Sequence, residues 1–298
     1  MPDAGRVFVV RPSTSVVRMR GRESVDLLQR ISTNDMLPVN AGKQVQTILT
    51  NEKGRMVDVV SAIPETADSV LLLGGNPAPM TLKTWLEKFI IMEDIKVDDE
   101  SINYVEIVLA DVNNDIELST SPESAFLSSR YLDRRNVLRA ICREEKSADL
   151  VGVIKARGFS EGDVAFLESF RVSFQIPKFP NELSAEVNPL EAGLYSLINW
   201  TKGCYVGQEV IARLDTYKKV QRALVGFQLT GMPSRLPVKL EHEGEDAGIL
   251  TSATIGLGGS ELLGLGYLRL SYLSEPAIML TGRAPDEFSG KPINRIAT

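Results

Sequence analysis

The residues that most often bind metals or act as nucleophiles are scarce in this chain of 298 residues. It has one histidine, His242, and two cysteines, Cys142 and Cys204. Zinc and iron–sulfur sites usually need four such ligands in closely spaced pairs, and no CxxC, HxH or HExxH pair occurs. The sequence therefore excludes a conventional metal site formed by this chain alone. A Ser-His-Asp or Cys-His arrangement could use only His242, in the acidic segment LEHEGED.

Long apolar runs and an excess of basic residues are also missing. The longest apolar run, SVLLLGG (69–75), has the length of a strand, whereas a membrane-spanning helix needs roughly 20 residues. With no signal-peptide pattern and two unpaired cysteines, we expect a cytoplasmic protein that binds no membrane. A net charge of −6 disfavours direct nucleic-acid binding. The basic run 213–222 fits either a solvated surface or a site for a small anion.

Hydrophobic periodicity divides the chain into two regions. Up to about residue 218, strands alternate with amphipathic helices predicted at 22–31, 77–90, 160–174 and 207–217. Strands are predicted at 6–10, 15–21, 44–50, 55–63, 69–75, 102–110 and 136–143, and then at 220–229, 237–244, 247–255, 262–270 and 276–280. The later strands follow one another between Gly, Pro and Ser, which is typical of a small barrel. We therefore predict an α+β fold with domains 1–218 and 219–298.

Three further expectations concern single residues or strands. Ser160, three residues before an acidic side chain, is expected to cap the helix 160–174. The second strand alternates apolar residues with Arg18 and Arg20, so it should be half-buried. Cys142 lies within a predicted strand and is expected to be a buried apolar residue.

The densest group of reactive side chains lies in TKGCYVGQEV (201–210). Gly203 and Gly207 favour a tight turn, and the helical spacing that follows places Cys204 just before a helix N-terminus. Free amides and the positive end of the helix dipole stabilise a thiolate there, and Lys202 adds a positive charge. Two interpretations remain open, a reactive thiol and an inert cysteine within a tight turn.

The run KGCYVGQEVIAR (202–213) closely resembles the signature of the YgfZ family of folate-binding proteins, which shares a superfamily with the aminomethyltransferase of the glycine cleavage system. Further segments resemble this superfamily: GRESVDLLQRISTNDM (21–36), TILTNEKGRMVDVV (47–60), NPLEAGL (188–194), AGILTSA (247–253) and LGLGYLR (263–269). The resemblance implies the aminomethyltransferase folate-binding fold. In it, ferredoxin-like α+β subdomains and a small C-terminal β-barrel are arranged around a central channel.

The resemblance also implies a ligand, tetrahydrofolate or a derivative, and a set of site residues. Cys204 would be the reactive thiol, with its pKa lowered by Lys202. The folate contacts would be Asn51, Arg55, Asp58, Arg171, Tyr205, Gln208, Glu209 and Arg213. Within this set Arg55 and Asp58 would line the pterin side, and Arg213 would face the anionic tail.

The function that this resemblance implies is support of iron–sulfur cluster assembly or repair, and indirectly of tRNA modification. The expected partners are a folate and iron–sulfur client or assembly proteins, and the chain is expected to work as a monomer. A non-catalytic docking module for iron–sulfur proteins is one alternative. Whether any step is catalytic stays open.

The other alternative is a tetrahydrofolate-dependent one-carbon transferase resembling aminomethyltransferase. That enzyme uses an aspartate to orient the folate amine and a glutamate in an Arg-Leu-Glu-Ala-Gly segment to hold the pterin. The segment corresponds to RVSFQIP (171–177), where Ser173 replaces the glutamate and Gln175 the glycine. Val59 replaces the second of two adjacent aspartates. Losing the glutamate removes a charged hydrogen bond worth about 1.5–3 kcal/mol, which disfavours aminomethyl transfer.

Overall fold

A computed structural model describes residues 5–12, 15–77, 79–113, 116, 126–273, 280–282 and 288–295. The chain forms two compact units, each assembled from separate stretches. Unit 1 comprises Met1–Asn51, Val57–Val164 and Ser196–Val206, and unit 2 comprises Glu52–Met56, Ala165–Tyr195 and Gly207–Thr298. The predicted domains, 1–218 and 219–298, are each one continuous stretch, whereas both units are discontinuous. The predicted division stays a prediction.

Unit 1 contains two five-stranded sheets and the helices that cover them. Its elements are β1 (Arg6–Pro12), β2 (Ser15–Arg20), α1 (Ser24–Ile31), β3 (Val45–Thr50), β4 (Met56–Thr66), β5 (Ser69–Gly74), α2 (Pro79–Glu87), β6 (Lys96–Asp99), β7 (Tyr104–Asp111), β8 (Phe126–Tyr131), β9 (Arg134–Arg143), α3 (Ser147–Ala156) and β10 (Ser160–Glu161). The strand orders are β3-β4-β5-β2-β6 and β10-β1-β7-β9-β8. Strand β1 pairs in parallel with β10 and antiparallel with β7.

Helices α1 and α2 cover the first sheet because their apolar residues recur at helical spacing. Val25 and Leu28 of α1 share a buried core with Leu82 and Trp85 of α2. Full burial of side chains of this size stabilises the fold by about 1.5–3 kcal/mol each. The helix α3 was not predicted from the sequence, and it covers the second sheet through residues that include Leu150.

The two sheets of unit 1 contact each other through apolar and polar side chains. Leu71 and Leu73 of β5 and Val16 of β2 pack with Ile141 of β9. Arg139 of β9 donates from Nη2 to the carbonyl of residue 74 in the other sheet, at 2.8 Å. The strand β9, which also holds the buried Cys142 as predicted, therefore joins the two sheets.

Two expectations from the sequence are wrong in detail. Strand β2 is buried at every position except Arg20, rather than half-buried, because Arg18 is neutralised by Glu65 and Glu100. The predicted helix 160–174 begins only at Val164, so Ser160 does not cap it. Ser160 lies instead in β10, whose pairing with β1 takes these residues into the second sheet.

Unit 2 is built around the C-terminal strands. Its elements are α4 (Val164–Ser173), α5 (Gln208–Thr216), β11 (Arg222–Leu229), β12 (Val238–His242), β13 (Glu245–Ile255), β14 (Leu262–Arg269), β15 (Leu280–Gly282) and β16 (Ser289–Arg295). The strands close into a barrel in the order β11-β14-β13-β12-β15-β16. Its core includes Val225, Phe227, Leu250 and Leu268.

The mixed helix-and-sheet composition agrees with the predicted fold class. The predicted strand 276–280 lies outside the described residues except for its last position. Ferredoxin-like subdomains and a central channel stay predictions. In the part of the chain that the structure describes, no helix is long and apolar enough to span a membrane.

Candidate functional site

Asp58 is the most unusual of the predicted site residues, because it is a carboxyl group in the interior of unit 1. It lies on β4 and is 1% exposed. Its Oδ1 accepts backbone N–H groups from Val59 at 2.7 Å and from Gly75 and Asn76 at 2.9 Å each. Its Oδ2 is buried and has no hydrogen-bond partner among the residues that the structure describes. One oxygen is therefore fixed by the backbone and the other is an unused acceptor.

The protonation of Asp58 reflects this environment. Burial raises its pKa to about 6, against the lowering effect of the three backbone hydrogen bonds and of the Arg139 charge. An acid in this range can hold or release a proton near neutral pH. Buried carboxyls with strongly shifted pKa values are frequent at functional sites.

A small residue is required beside Asp58. A Cβ at Gly74 would lie 2.5 Å from Asp58 Oδ2 and 3.2 Å from Ser15 Oγ, so position 74 accommodates no side chain without movement. Ser15 Oγ is also buried, and within the described part of the chain it has no hydrogen-bond partner. Two unpaired polar atoms are therefore close to the same point, which is rare in a folded interior.

The segment 199–206 is tied to the end of α1. The Lys202 ammonium donates to the carbonyls of Gln29, Ser32 and Asn34 at 2.7, 2.8 and 2.6 Å. An ammonium group has three N–H donors, so these carbonyls take all of them. A positive charge is favourable there, because the carbonyls at a helix C-terminus are the negative end of the dipole.

This arrangement bears on the predicted role of Lys202 beside Cys204. Burial lowers the pKa of Lys202 to about 8, against the raising effect of the Asp35 charge. With its donors committed to α1, the ammonium has none left for a thiolate in this conformation. The predicted effect of Lys202 on the pKa of Cys204 therefore stays a prediction that these contacts do not support.

Cys204 and Tyr205 differ sharply in exposure. Cys204 is an exposed free thiol, whereas Tyr205 is buried and its ring lies 5.6 Å from the Lys202 ammonium. Burial raises the pKa of Tyr205 to about 12. Thr50, the residue before Asn51, donates from Oγ1 to the carbonyl of Val206 at 2.6 Å. The predicted residues Asn51 and Tyr205 are thus brought to neighbouring segments of unit 1.

In unit 2, Arg55 lies in the turn that precedes β4. Its guanidinium donates to the carbonyl of Glu186 at 2.9 Å and lies 3.4 Å from the Glu191 carboxylate. Arg222 makes the same two contacts at the same distances. A buried carboxylate is thus shared by two half-exposed arginines. Glu191, in the NPLEAGL segment, is absent from the predicted site residues.

The turn that holds Arg55 packs on helix α5. A Cβ at Gly54 would lie 3.3 Å from side chains of Val210 and Ile211. The helix follows Gly207, whose positive φ of 82° favours glycine, and it begins at Gln208. Glu209 and Arg213 are exposed and 3.8 Å apart on its surface. The predicted residues Arg55, Gln208, Glu209 and Arg213 therefore belong to one region of unit 2.

Arg171, predicted to contact folate, is a buried residue at the end of α4. Its guanidinium donates to Glu168, Glu182, the hydroxyl of Ser252 and the carbonyl of Ile176. Arginine has five N–H donors, and these contacts use all of them. Contact of Arg171 with a ligand stays a prediction. In this conformation, residues that the structure describes already accept from all five guanidinium N–H groups.

Comparisons with known proteins give the fold. The aminomethyltransferase T of the glycine cleavage system from Bartonella henselae superposes with a TM-score of 0.79 at 15% identity, covering 98% of this chain and 86% of that one. The chain has the aminomethyltransferase fold. An aminomethyltransferase from Synechocystis is 23% identical over 84% of this chain and 74% of its own length. No known family model matches.

A shorter stretch is similar to a chloroplastic protein of Arabidopsis thaliana that is named as a candidate transferase. The identity is 44% over 108 residues, which are 36% of this chain and 24% of that protein.

The segment 171–177, predicted to correspond to Arg-Leu-Glu-Ala-Gly, has a glycine-like backbone conformation at one position. Gln175 has a positive φ of 52°, a conformation that glycine adopts readily. Ser173, predicted to replace the glutamate, has a buried hydroxyl that finds no hydrogen-bond partner in the described residues. The correspondence of this segment to Arg-Leu-Glu-Ala-Gly stays a prediction.

Sequence reasoning missed the residues that surround Asp58. Ser15, Gly74 and Arg139 are distant from it in the chain, and the sheets bring them together. The consecutive glycines at the end of β5 were a signal, because paired glycines after an apolar strand allow a close approach. Ser15 and Arg139 carried no comparable signal.

The two thiols should differ in alkylation. We expect iodoacetamide to modify Cys204 alone in the folded protein, because Cys142 is buried and burial raises its pKa to about 11. Mass spectrometry should find one modified thiol under native conditions and two after unfolding in urea. Cys204→Ser is the control, which should remain unmodified while folded. Rapid native labelling of Cys142 would contradict this expectation.

Proposed function

We propose that the protein is a tetrahydrofolate-dependent one-carbon transferase of the aminomethyltransferase type, with Asp58 as its acid–base group. The observation that carries the proposal is the buried carboxyl with one oxygen held by three backbone N–H groups and the other unpaired. The aminomethyltransferase fold over nearly the whole chain supports it.

The described residues fit a reduced folate at this carboxyl. A reduced folate supplies the carrier for a one-carbon unit, and it presents N–H donors and an anionic tail. The unpaired acceptor at Asp58 Oδ2 suits an N–H donor of the folate. The contacts of Arg55 and Arg213 with an anionic tail stay part of the hypothesis. The other proposed contacts, Asn51, Tyr205, Gln208 and Glu209, belong to the same hypothesis, as does Arg171.

Asp58 would orient an amine and exchange a proton with it. Because Oδ1 already accepts three N–H groups, the proton of the neutral acid would lie on Oδ2. When Oδ2 loses this proton, the three N–H groups and Arg139 stabilise the negative charge. A hydrogen bond at a buried oxygen is electrostatically stronger than one in water, which favours a fixed orientation of the donor.

Calorimetry with tetrahydrofolate, followed by turnover of an aminomethyl-lipoyl carrier, tests the proposal. Asp58→Asn keeps the shape but removes the acid–base function, so we expect turnover to fall by about 10²–10⁴-fold. Binding should weaken by about tenfold, because the amide replaces an acceptor oxygen. The matched control is Asp111→Asn, which changes another buried aspartate of unit 1. Wild-type turnover in Asp58→Asn would refute the assignment.

The exposed thiol favours a second candidate function, folate-dependent support of iron–sulfur assembly or repair in the manner of the YgfZ family. The observation behind it is that Cys204 is free and exposed. Cys204→Ala should then fail to complement an iron–sulfur-deficient strain while Cys142→Ala succeeds. Complementation by Cys204→Ala would exclude a role for the thiol.

The two candidates make different demands on partners. The first needs only a folate and a one-carbon donor, whereas the second adds iron–sulfur client or assembly proteins and an indirect effect on tRNA modification. A cytoplasmic location and a monomeric state belong to both hypotheses. A docking module without catalysis would show no tetrahydrofolate binding in the calorimetric titration.

A further inference from the structure

A pair of buried charged residues lies behind Asp58 and connects to it through the backbone. Arg139 donates from Nη2 to the carbonyl of Gly74 at 2.8 Å. The next two residues after Gly74 supply backbone N–H groups to Asp58 Oδ1. Arg139 therefore holds the short segment on whose amides Asp58 depends, and it does so from the opposite sheet.

Arg139 is itself fixed by a carboxylate. Its Nε donates to Glu106, which is fully buried on β7 and accepts a second hydrogen bond from Arg11 at 2.9 Å. Although burial raises the pKa of Glu106, the charges of Arg139 and Arg11 hold it below its usual value. Glu106 is thus an anion in the interior, and it determines where the Arg139 guanidinium lies.

The charged groups around Asp58 come from particular strands. The neighbouring strands β2 and β5 present Ser15 and Gly74, which carry no charge. Strand β9 presents Arg139, and β7 presents Glu106 through its contact with that arginine. Both the position of the Asp58 amide donors and the field at its carboxyl therefore depend on this ion pair.

We propose that Arg139, held by Glu106, is a positioning residue for Asp58, fixing the Gly74–Asn76 segment whose amides bind the carboxyl. The importance of this role for turnover rests on the proposed function. The effect of Arg139 on the Gly74–Asn76 segment and on Asp58 can be tested without a ligand. Arg139 acts through Asp58 and is assigned no contact with substrate.

The test is an NMR titration of aspartate carboxyls labelled with ¹³C, in which Asp58→Asn identifies the Asp58 signal. In Arg139→Gln the Asp58 pKa should rise by about one unit, since a nearby positive charge is lost. In Glu106→Gln the Asp58 pKa should fall, because a carboxylate no longer neutralises the positive charge of Arg139. The amide signals of Gly75 and Asn76 should shift in Arg139→Gln, reporting the displaced segment.

Two further variants separate charge from position. Arg139→Lys keeps the charge but replaces the two nitrogens that reach the Gly74 carbonyl and Glu106 with one. The amide shifts should therefore persist while the Asp58 pKa stays near the wild-type value. Arg143→Gln removes an arginine from the same strand, and both signals should remain as in the wild type. If Arg139→Gln fails to fold, Arg139→Lys and Glu106→Gln still decide the question.

An unchanged Asp58 titration with unchanged Gly75 and Asn76 signals, in folded variants, would overturn the proposal. A pKa change without amide shifts would overturn it too, because Arg139 would then act by charge alone. Since the titration uses no folate, its outcome is independent of turnover. Absence of transferase activity in the wild type would refute the proposed function and leave the positioning role intact.

Discussion

Replacing Glu182 with alanine is expected to lower the free energy of unfolding by about 3–5 kcal/mol, since it removes the fully buried carboxylate that pairs with the buried Arg171. Glu182 is fully buried in unit 2. One of its oxygens accepts from Thr251 and Ser252 at 2.6 Å each, and the other from Arg171 at 3.0 Å. Each of these donors would lose a buried, charged acceptor.

Urea unfolding followed by circular dichroism measures this loss. Glu168→Ala is the matched control, because Glu168 pairs with the same arginine but is partly exposed, so about 1 kcal/mol is expected. A loss below about 1 kcal/mol in Glu182→Ala would show that the pair contributes little to stability. The result also matters for Arg171, whose substitution would alter folding before it altered any folate contact.

Asp58→Asn is expected to stabilise the protein at neutral pH, by about 3 kcal/mol. The folded pKa of about 6 is above the ordinary value of about 3.9. The folded protein therefore binds a proton more tightly than the unfolded chain. The stability from this group is fully present below about pH 4 and is lost as the pH rises through 6. Asparagine resembles the neutral form at every pH.

Unfolding in urea at pH 4 and pH 7 distinguishes this effect from a general change in packing. The gain of Asp58→Asn over the wild type should be present at pH 7 and absent at pH 4. Asp111→Asn provides the contrast, because it loses an ion pair with Arg6 at 2.9 Å and should be less stable than the wild type at pH 7. Equal stability of Asp58→Asn and the wild type at pH 7 would contradict the buried-charge interpretation.

A variant that is more stable and less active would have a simple physical explanation. The energy lost by keeping a carboxylate in the interior is what makes its protonation change near neutral pH. Such opposition between stability and activity is common where a functional group lies in a strained or desolvated position. It would distinguish Asp58 from the buried charges that are fully paired, such as Glu106.

The sequence predicted most elements of the fold because their patterns are local. The helix α1 and the strands β11 to β14 follow from periodicities that need no knowledge of distant residues. Arg18 shows where such reasoning fails, since an alternating charge predicts an exposed face unless distant carboxylates neutralise it. Glu65 and Glu100 do so here, and they come from other strands and turns of the chain.

The candidate site was predictable only where local sequence carries the information. Asp58 was identified through its resemblance to a known segment, but its unpaired oxygen depends on Gly74 and Ser15, which the sheets bring to it. The sequence predicts that Lys202 acts on Cys204 because the two are only two positions apart. The fold directs its ammonium to carbonyls more than 160 residues away, and no local pattern contains that information.

The interleaving of the two units has a consequence for synthesis on the ribosome. Unit 1 includes Ser196–Val206, which supplies the lysine that caps α1 near the beginning of the chain. The end of α1 therefore cannot acquire its complete set of contacts until about two thirds of the polypeptide has emerged. We expect nascent chains that stop before residue 196 to be targets for chaperones, and proteolysis of the mature protein to release no fragment that refolds as unit 1.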